Sequence, residues 1–157
     1  MSSLMAELAQ RLTALNWMMC TAESCTGGMI ASRCTDLAGS SAWFERGFVT
    51  YANAAKVQML GVPMDFITTH GAVSEPVARA MALGAIYQSQ AQVSVAVTGV
   101  AGPGGGSPDK PVGTVWLAWC IQGVVITQMH HFVGDRHQIR LATTEHALQG
   151  LLERLPA

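Results

Sequence analysis

Between Trp17 and Gly28 the chain reads WMMCTAESCTGG, a short apolar run that enters a helical pattern through a turn ending in two glycines. Trp17 to Ala22 has the length and apolar character of a buried strand, and Met29 to Cys34 resumes as a helix. A strand fed into a helix by so tight a turn opens an α/β unit, with the strand inside a sheet and the helix on its face. The rest of the chain keeps the same alternation. Ser3 to Asn16 places Leu4, Leu8, Leu12 and Leu15 on one helical face. Trp43 to Tyr51 reads as a second strand, and Asn53 is positioned to cap a short helix that runs through Leu60 and stops at Gly61. Ser74-Glu75-Pro76 is a start signal for a helix to about Gln88, combining a cap residue, an early acid and Pro in the first turn. Val93 to Val97 is a further strand. Gly113 to Cys120 and Val124 to Phe132, joined at Gln122-Gly123, form a hairpin. Asp135 then caps a final helix whose inner face carries Ile139, Ala142, His146 and Leu148 to Leu152. The expected fold is a single α/β domain over residues 1–157, with helices layered on a sheet that the hairpin makes mixed. No internal repeat or linker interrupts it.

Composition narrows the function classes. A chain of 157 residues can bury a full core as one domain. Nine Lys and Arg against ten Asp and Glu give a formal charge of −1, which argues against a nucleic-acid-binding surface. Only 12% of residues are charged and 50% are hydrophobic, where an ordinary domain carries about 25% charged residues. Apolar surface is therefore expected to be covered by further subunits, making the protein a homo-oligomer. The longest apolar stretch, Val115 to Ile126, is interrupted by Gln122 and Gly123 and falls short of the roughly 20 residues of a membrane span. Glu7 lies early in an N-terminus without a basic segment, so no secretory signal is read there. Cys20, Cys25, Cys34 and Cys120 form no CxxC pair and have no His at metal-ligand spacing. Reduced thiols, a cytoplasmic location and no metal or cofactor are the expectation.

Four constellations carry candidate chemistry. In Thr21–Gly28, Ser24 sits at a strand-to-helix turn where backbone N–H groups of Thr26, Gly27 and Gly28 can converge on an oxyanion or a phosphate. The same residues also suit a plain helix cap with glycines for tight packing. The loop Gly99 to Val112 holds five Gly and three Pro, so its backbone can approach a ligand closely or simply be mobile. It matches neither phosphate-loop fingerprint, because Lys110 precedes Pro111 and the glycines lead into a hairpin. Tyr51 and Lys56 follow the second strand. A desolvated lysine can accept a proton or activate a hydroxyl, although a solvent-facing Lys fits the spacing as well. Finally, Arg136 and Arg140 at the start of the last helix can clamp an anion, or Asp135 can serve only as the helix cap with Arg140 in water. Cys25 is an alternative nucleophile, and the adjacent His130-His131 pair lacks further ligands.

These residues, taken in order, resemble the CinA C-terminal domain family. Thr21-Ala22-Glu23-Ser24-Cys25-Thr26-Gly27-Gly28 and Gly39-Ser40-Ser41-Ala42-Trp43-Phe44 carry the likeness first. His70-Gly71-Ala72-Val73-Ser74-Glu75, Thr98-Gly99-Val100-Ala101-Gly102-Pro103 and Lys110-Pro111-Val112-Gly113-Thr114-Val115 continue it, so that it spans about residues 4–152. The resemblance implies a three-layer α/β/α sandwich that self-associates. It also implies a nicotinamide-nucleotide amidase, which hydrolyses the carboxamide of nicotinamide mononucleotide to nicotinate mononucleotide and ammonia. By motif, Ser24 falls at the nucleophile, Tyr51 and Lys56 at activating positions, and Thr98 and Arg136 at positions of substrate contact or support. Arg136 with Arg140, and the loop with Thr98, Gly99 and Gly102, would then hold the phosphate; either Tyr51 or Lys56 would be the base. One departure stands out. Between Tyr51 and Lys56 the family typically reads Ser-Asn-Glu-Ala, and this chain reads Ala52-Asn53-Ala54-Ala55. Loss of two polar groups there implies, as the alternative, a weakly active or non-catalytic nucleotide-binding paralogue.

Overall fold

A computed structural model describes residues 3–157. In chain order it contains α1 (Leu4–Leu15), β1 (Met19–Glu23), α2 (Met29–Thr35), β2 (Phe44–Val49), α3 (Asn53–Leu60), α4 (Met64–His70), α5 (Glu75–Tyr87), β3 (Val93–Gly99), β4 (Thr114–Ile121), β5 (Val124–His131) and α6 (Arg136–Arg154), with one 3₁₀ turn at Ser40–Ala42. The five strands form one sheet in the order β2-β1-β3-β4-β5. β2, β1 and β3 are parallel, while β4 and β5 are antiparallel to their neighbours. Helices cover both faces. α1, α2 and α6 pack on one side around Leu8, Leu12, Ile30, Trp119, Leu148 and Leu151. α3, α4 and α5 pack on the other around Leu60, Ile67, Val77, Met81 and Ala85. This is the three-layer sandwich around a mixed sheet that the resemblance implied.

Local chemistry explains the element boundaries. β1 is buried along its whole length and β3 all but its last residue, as expected for parallel strands covered on both faces. The outer strand β5 is only partly covered. Its hairpin turns at Gln122 and Gly123 (φ +48° and +85°), the left-handed pair that matches the twist of the flanking strands. Asp135 accepts the N–H of Gln138 at 2.8 Å, and the Gln138 side chain accepts the Asp135 N–H at 2.8 Å, closing a capping box on α6.

Three details differ from the sequence reading. Asn53 is the first residue of α3, and the cap position belongs to Ala52, whose extended backbone carries no side-chain acceptor. β3 continues through Gly99 because Val115 of β4 pairs with it. Helix α4 lacks a periodic signature because Ile67 is its one buried residue.

Candidate active site

Parallel strands place their carboxyl ends side by side, and in open α/β sheets the crevice outside those ends is where ligands bind. Here Ser24 follows β1, Thr50 and Tyr51 follow β2, and Thr98 and Gly99 end β3. A cavity of about 260 Å³ opens at that edge, lined by Ser24, Cys25, Tyr51, Asn53, Lys56, Thr98, Gly99 and Arg136, with Ala72, Val73 and Ala101 as apolar wall.

Lys56 reaches this cavity from the first turns of α3 and is 1% exposed. Its Nζ lies 2.9 Å from Ser24 Oγ, 3.1 Å from the Thr50 carbonyl and 3.0 Å from the Tyr51 carbonyl. Burial disfavours the ammonium and lowers its pKa below the ordinary lysine value. As an ammonium it donates to all three oxygens. As a neutral amine its two N–H groups satisfy the carbonyls, and its lone pair receives the Ser24 hydroxyl proton. Tyr51 is arranged otherwise. Its side chain is 59% exposed, and its hydroxyl accepts from Arg136 Nη2 at 3.3 Å. Of the two residues that followed the second strand, Lys56 is the one at the serine.

The Ser24 turn is held from within. Its N–H donates to the Val97 carbonyl at 3.1 Å, and its own carbonyl accepts from Gly27 at 3.1 Å. Glu23, fully buried, accepts on Oε1 from the Thr26 hydroxyl at 2.5 Å, Ile30 N–H at 2.9 Å and Gly28 N–H at 3.3 Å, and on Oε2 from Ala31 N–H at 3.0 Å. That carboxylate takes the N-terminal donors of α2. The Thr26 hydroxyl and the Gly28 N–H therefore face the protein's own anion, the Gly27 N–H is taken by the Ser24 carbonyl, and none of the three residues is part of the cavity lining. Arg140 also lies outside it. Its Nε donates to the Cys25 carbonyl at 3.0 Å and its Nη2 to the Thr26 carbonyl at 3.1 Å, so both are turned to the back of the turn. Cys25 lines the cavity but is a poor nucleophile, since burial pushes its thiol up to about 11.

Arg136, exposed at the start of α6, donates from Nη1 to the Gly102 carbonyl at 2.7 Å. It thus ties the glycine-rich loop to Tyr51 at the cavity mouth. Gly102 contributes that carbonyl from outside the lining, while Gly99 lines the wall. The Thr98 hydroxyl donates to Ala72 at 2.9 Å, fastening the segment between α4 and α5 over the site. Sequence reasoning missed Glu23 and the wall residues Ala72 and Val73. Asking what satisfies the first N–H groups of the helix after Gly28 would have pointed to Glu23, the one acid beside that turn. Among the described residues no group of three or more His, Cys, Asp or Glu is arranged to hold a metal, and no helix is long and apolar enough to cross a membrane.

Fold and site together define an α/β/α domain with a serine–lysine pair at the carboxyl edge of its parallel strands. Residues 1–155 match the CinA C-terminal domain, and the chain belongs to that family. It is 52% identical over 149 residues to a protein of Escherichia coli (strain K12) named nicotinamide-nucleotide amidohydrolase PncC, covering 94% of this chain and 90% of that relative. A protein of the same name from Pseudomonas putida is 51% identical over 152 residues, with 97% and 95% covered. Among solved structures, the competence/damage inducible protein CihA from Agrobacterium tumefaciens superposes with a TM-score of 0.89 at 51% identity, over 97% of this chain and 96% of that one.

Proposed function

We propose that this protein is an amidohydrolase that converts nicotinamide mononucleotide to nicotinate mononucleotide and ammonia, with Ser24 as nucleophile and Lys56 as general base. The observation that carries the reading is the 2.9 Å contact between Ser24 Oγ and the buried Lys56 Nζ. Neutral Lys56 takes the hydroxyl proton as Ser24 Oγ attacks the carboxamide carbon. The carbonyl oxygen becomes an oxyanion beside the N–H groups of Cys25 and Thr26, which among the described residues donate to no backbone carbonyl. Lys56 then returns the proton to the amide nitrogen, the C–N bond breaks, and ammonia leaves a Ser24 ester. Water attacks that ester with Lys56 again as base, giving the carboxylate and free Ser24. Arg136 and the loop it holds supply the cationic mouth for the phosphate, and Tyr51 shapes that mouth. No metal or cofactor enters these steps.

Names borne by relatives at 51–52% identity over nearly the whole chain support the same substrate class. Ala52 and Ala54 are exposed and line no part of the cavity, so the departure from the family pattern falls outside the chemistry and favours catalysis over a binding-only role. A cytoplasmic homo-oligomer with a small-molecule partner, and no nucleic-acid or membrane partner, completes the reading. Sparse charge and the exposed side chains of Tyr87, Val124 and Met129 support self-association. The test is ammonia release from nicotinamide mononucleotide by the purified protein. Ser24→Ala is expected to abolish it with the melting temperature retained; full activity in that variant would refute the assignment.

A further inference from the structure

We propose that Glu23 and Arg140 are positioning residues that clamp the nucleophile turn from opposite sides, neither one touching the substrate. The proposal rests on the reading of Ser24 as nucleophile. It starts from the backbone between β1 and α2, which must leave a central strand, present Ser24 and enter a helix within a few residues. Gly28 occupies the cap position of α2 at φ +106°, where it has no side chain to satisfy the first N–H groups. Glu23 does so from the end of the strand. Burying a carboxylate is costly unless it is fully hydrogen-bonded, and here four donors converge on it.

Arg140 holds the other pole of the same peptides. Its fork takes two successive carbonyls, those of Cys25 and Thr26, from a helix 114 or more residues away in sequence. In a trans peptide the N–H points opposite to the carbonyl of the same plane. Fixing the Cys25 carbonyl toward α6 therefore aims the Thr26 N–H away from α6. With Ser24 and Gly27 N–H groups bonded to Val97 and Ser24 carbonyls, the clamp leaves the Cys25 and Thr26 N–H groups next to the nucleophile without a backbone carbonyl to donate to among the described residues. Arg136 and Arg140 are thus separated by task although they share one face of α6. Arg136 faces the cavity mouth; Arg140 braces the back of the turn.

The experiment compares Arg140→Gln, Arg140→Lys, Arg136→Gln and Glu23→Gln on nicotinamide mononucleotide and on the phosphate-free nicotinamide riboside. Displacing the turn by about 1 Å is enough to slow the reaction on the order of 10²-fold. Arg140→Gln is expected to lower kcat by about that factor on both substrates, with KM within threefold. Arg140→Lys, which keeps the charge and loses the fork, recovers only part of it. Arg136→Gln instead raises KM for the phosphate-bearing substrate alone. A loss in Arg140→Gln confined to the phosphorylated substrate, or a kcat within twofold of the parent, overturns the proposal. Glu23→Gln puts an amide donor against N–H groups and is expected to lower kcat likewise, without moving the pH midpoint of kcat/KM. Should that variant fail to fold, Thr26→Val removes one donor to the carboxylate and is expected to lower kcat severalfold; no change there counts against the clamp. Acylation of Ser24 by p-nitrophenyl acetate separates this proposal from the substrate assignment. Slowed acylation in Arg140→Gln sustains the clamp even where nicotinamide mononucleotide proves not to be a substrate, and undiminished acylation refutes it.

Discussion

Lys56 Nζ lies 2.9 Å from Ser24 Oγ across 32 residues of sequence, and the carbonyls of Thr50 and Tyr51 occupy the remaining two directions around that nitrogen. Three oxygens and no carboxylate surround the amine. Burial, the largest influence, opposes the charged form, and only those dipoles and the neighbouring Cys25 favour it. The neutral amine is the form in which every hydrogen bond has a donor and an acceptor in the direction catalysis needs.

Lys56→Arg tests that directionality. The guanidinium keeps positive charge and donors but cannot lose a proton in this range, so it offers no lone pair to Ser24. Ammonia release is expected to fall by about 10³-fold or more, within the range attributed to general-base catalysis. The measurement is steady-state kcat/KM beside a thermal melt. Activity within tenfold of the parent would show that proton abstraction by Lys56 is not required.

The same geometry sets a pH dependence. Activity requires neutral Lys56, so kcat/KM rises with pH and levels off above the lysine's pKa. Burial lowers that pKa, which places the midpoint below the ordinary value of about 10.4. Stability follows the same sign. Between the lowered folded pKa and the unfolded one, the unfolded chain binds more protons, so stability declines as pH falls through that window. A kcat/KM profile with no ascending limb below about pH 10 would contradict the assignment.

How much of this was readable from the sequence depends on how local each signal is. The Ser24 turn, the Gln122-Gly123 hairpin and the Asp135 cap were legible because neighbouring residues alone produce them. Tyr51 and Lys56 were indistinguishable as bases, since both follow β2; only the fold shows that one amine turns inward and the phenol turns to Arg136. From the sequence, Arg140 reads either as an anion ligand with Arg136 or as a residue in water. In the structure it donates to carbonyls 114 and 115 residues earlier, a relation no local pattern encodes.

Ala52→Ser is expected to stabilise the protein and leave its chemistry alone. Ala52 holds the extended cap geometry of α3 with no side-chain acceptor for the first N–H groups. A hydroxyl there supplies one, worth about 0.5–2 kcal/mol. Because Ala52 is exposed and off the cavity, kcat is expected to stay within twofold. Urea unfolding beside the ammonia assay checks both halves. A large gain in kcat would instead place this position in the catalytic machinery.

Gly84→Ala links packing to the site. In an exposed helix interior this exchange gains up to about 1 kcal/mol. At Gly84 of α5, however, an added Cβ would stand 2.0 Å from the Leu60 carbonyl oxygen and 2.8 Å from its carbon, both backbone atoms at the end of α3. Neither helix can accommodate that without moving apart, and overpacking of this kind costs about 1–3 kcal/mol. The shift is borne by α3, which carries Lys56 one turn before Leu60. Gly84→Ala is therefore expected to lower the urea midpoint and to reduce kcat, since the amine is drawn from Ser24 while the phosphate-facing Arg136 is untouched; KM stays near the parent value. A higher urea midpoint would mean that α3 and α5 are not in backbone contact. Reduced stability with unchanged kcat would mean that α5 yields and α3 holds Lys56 in place.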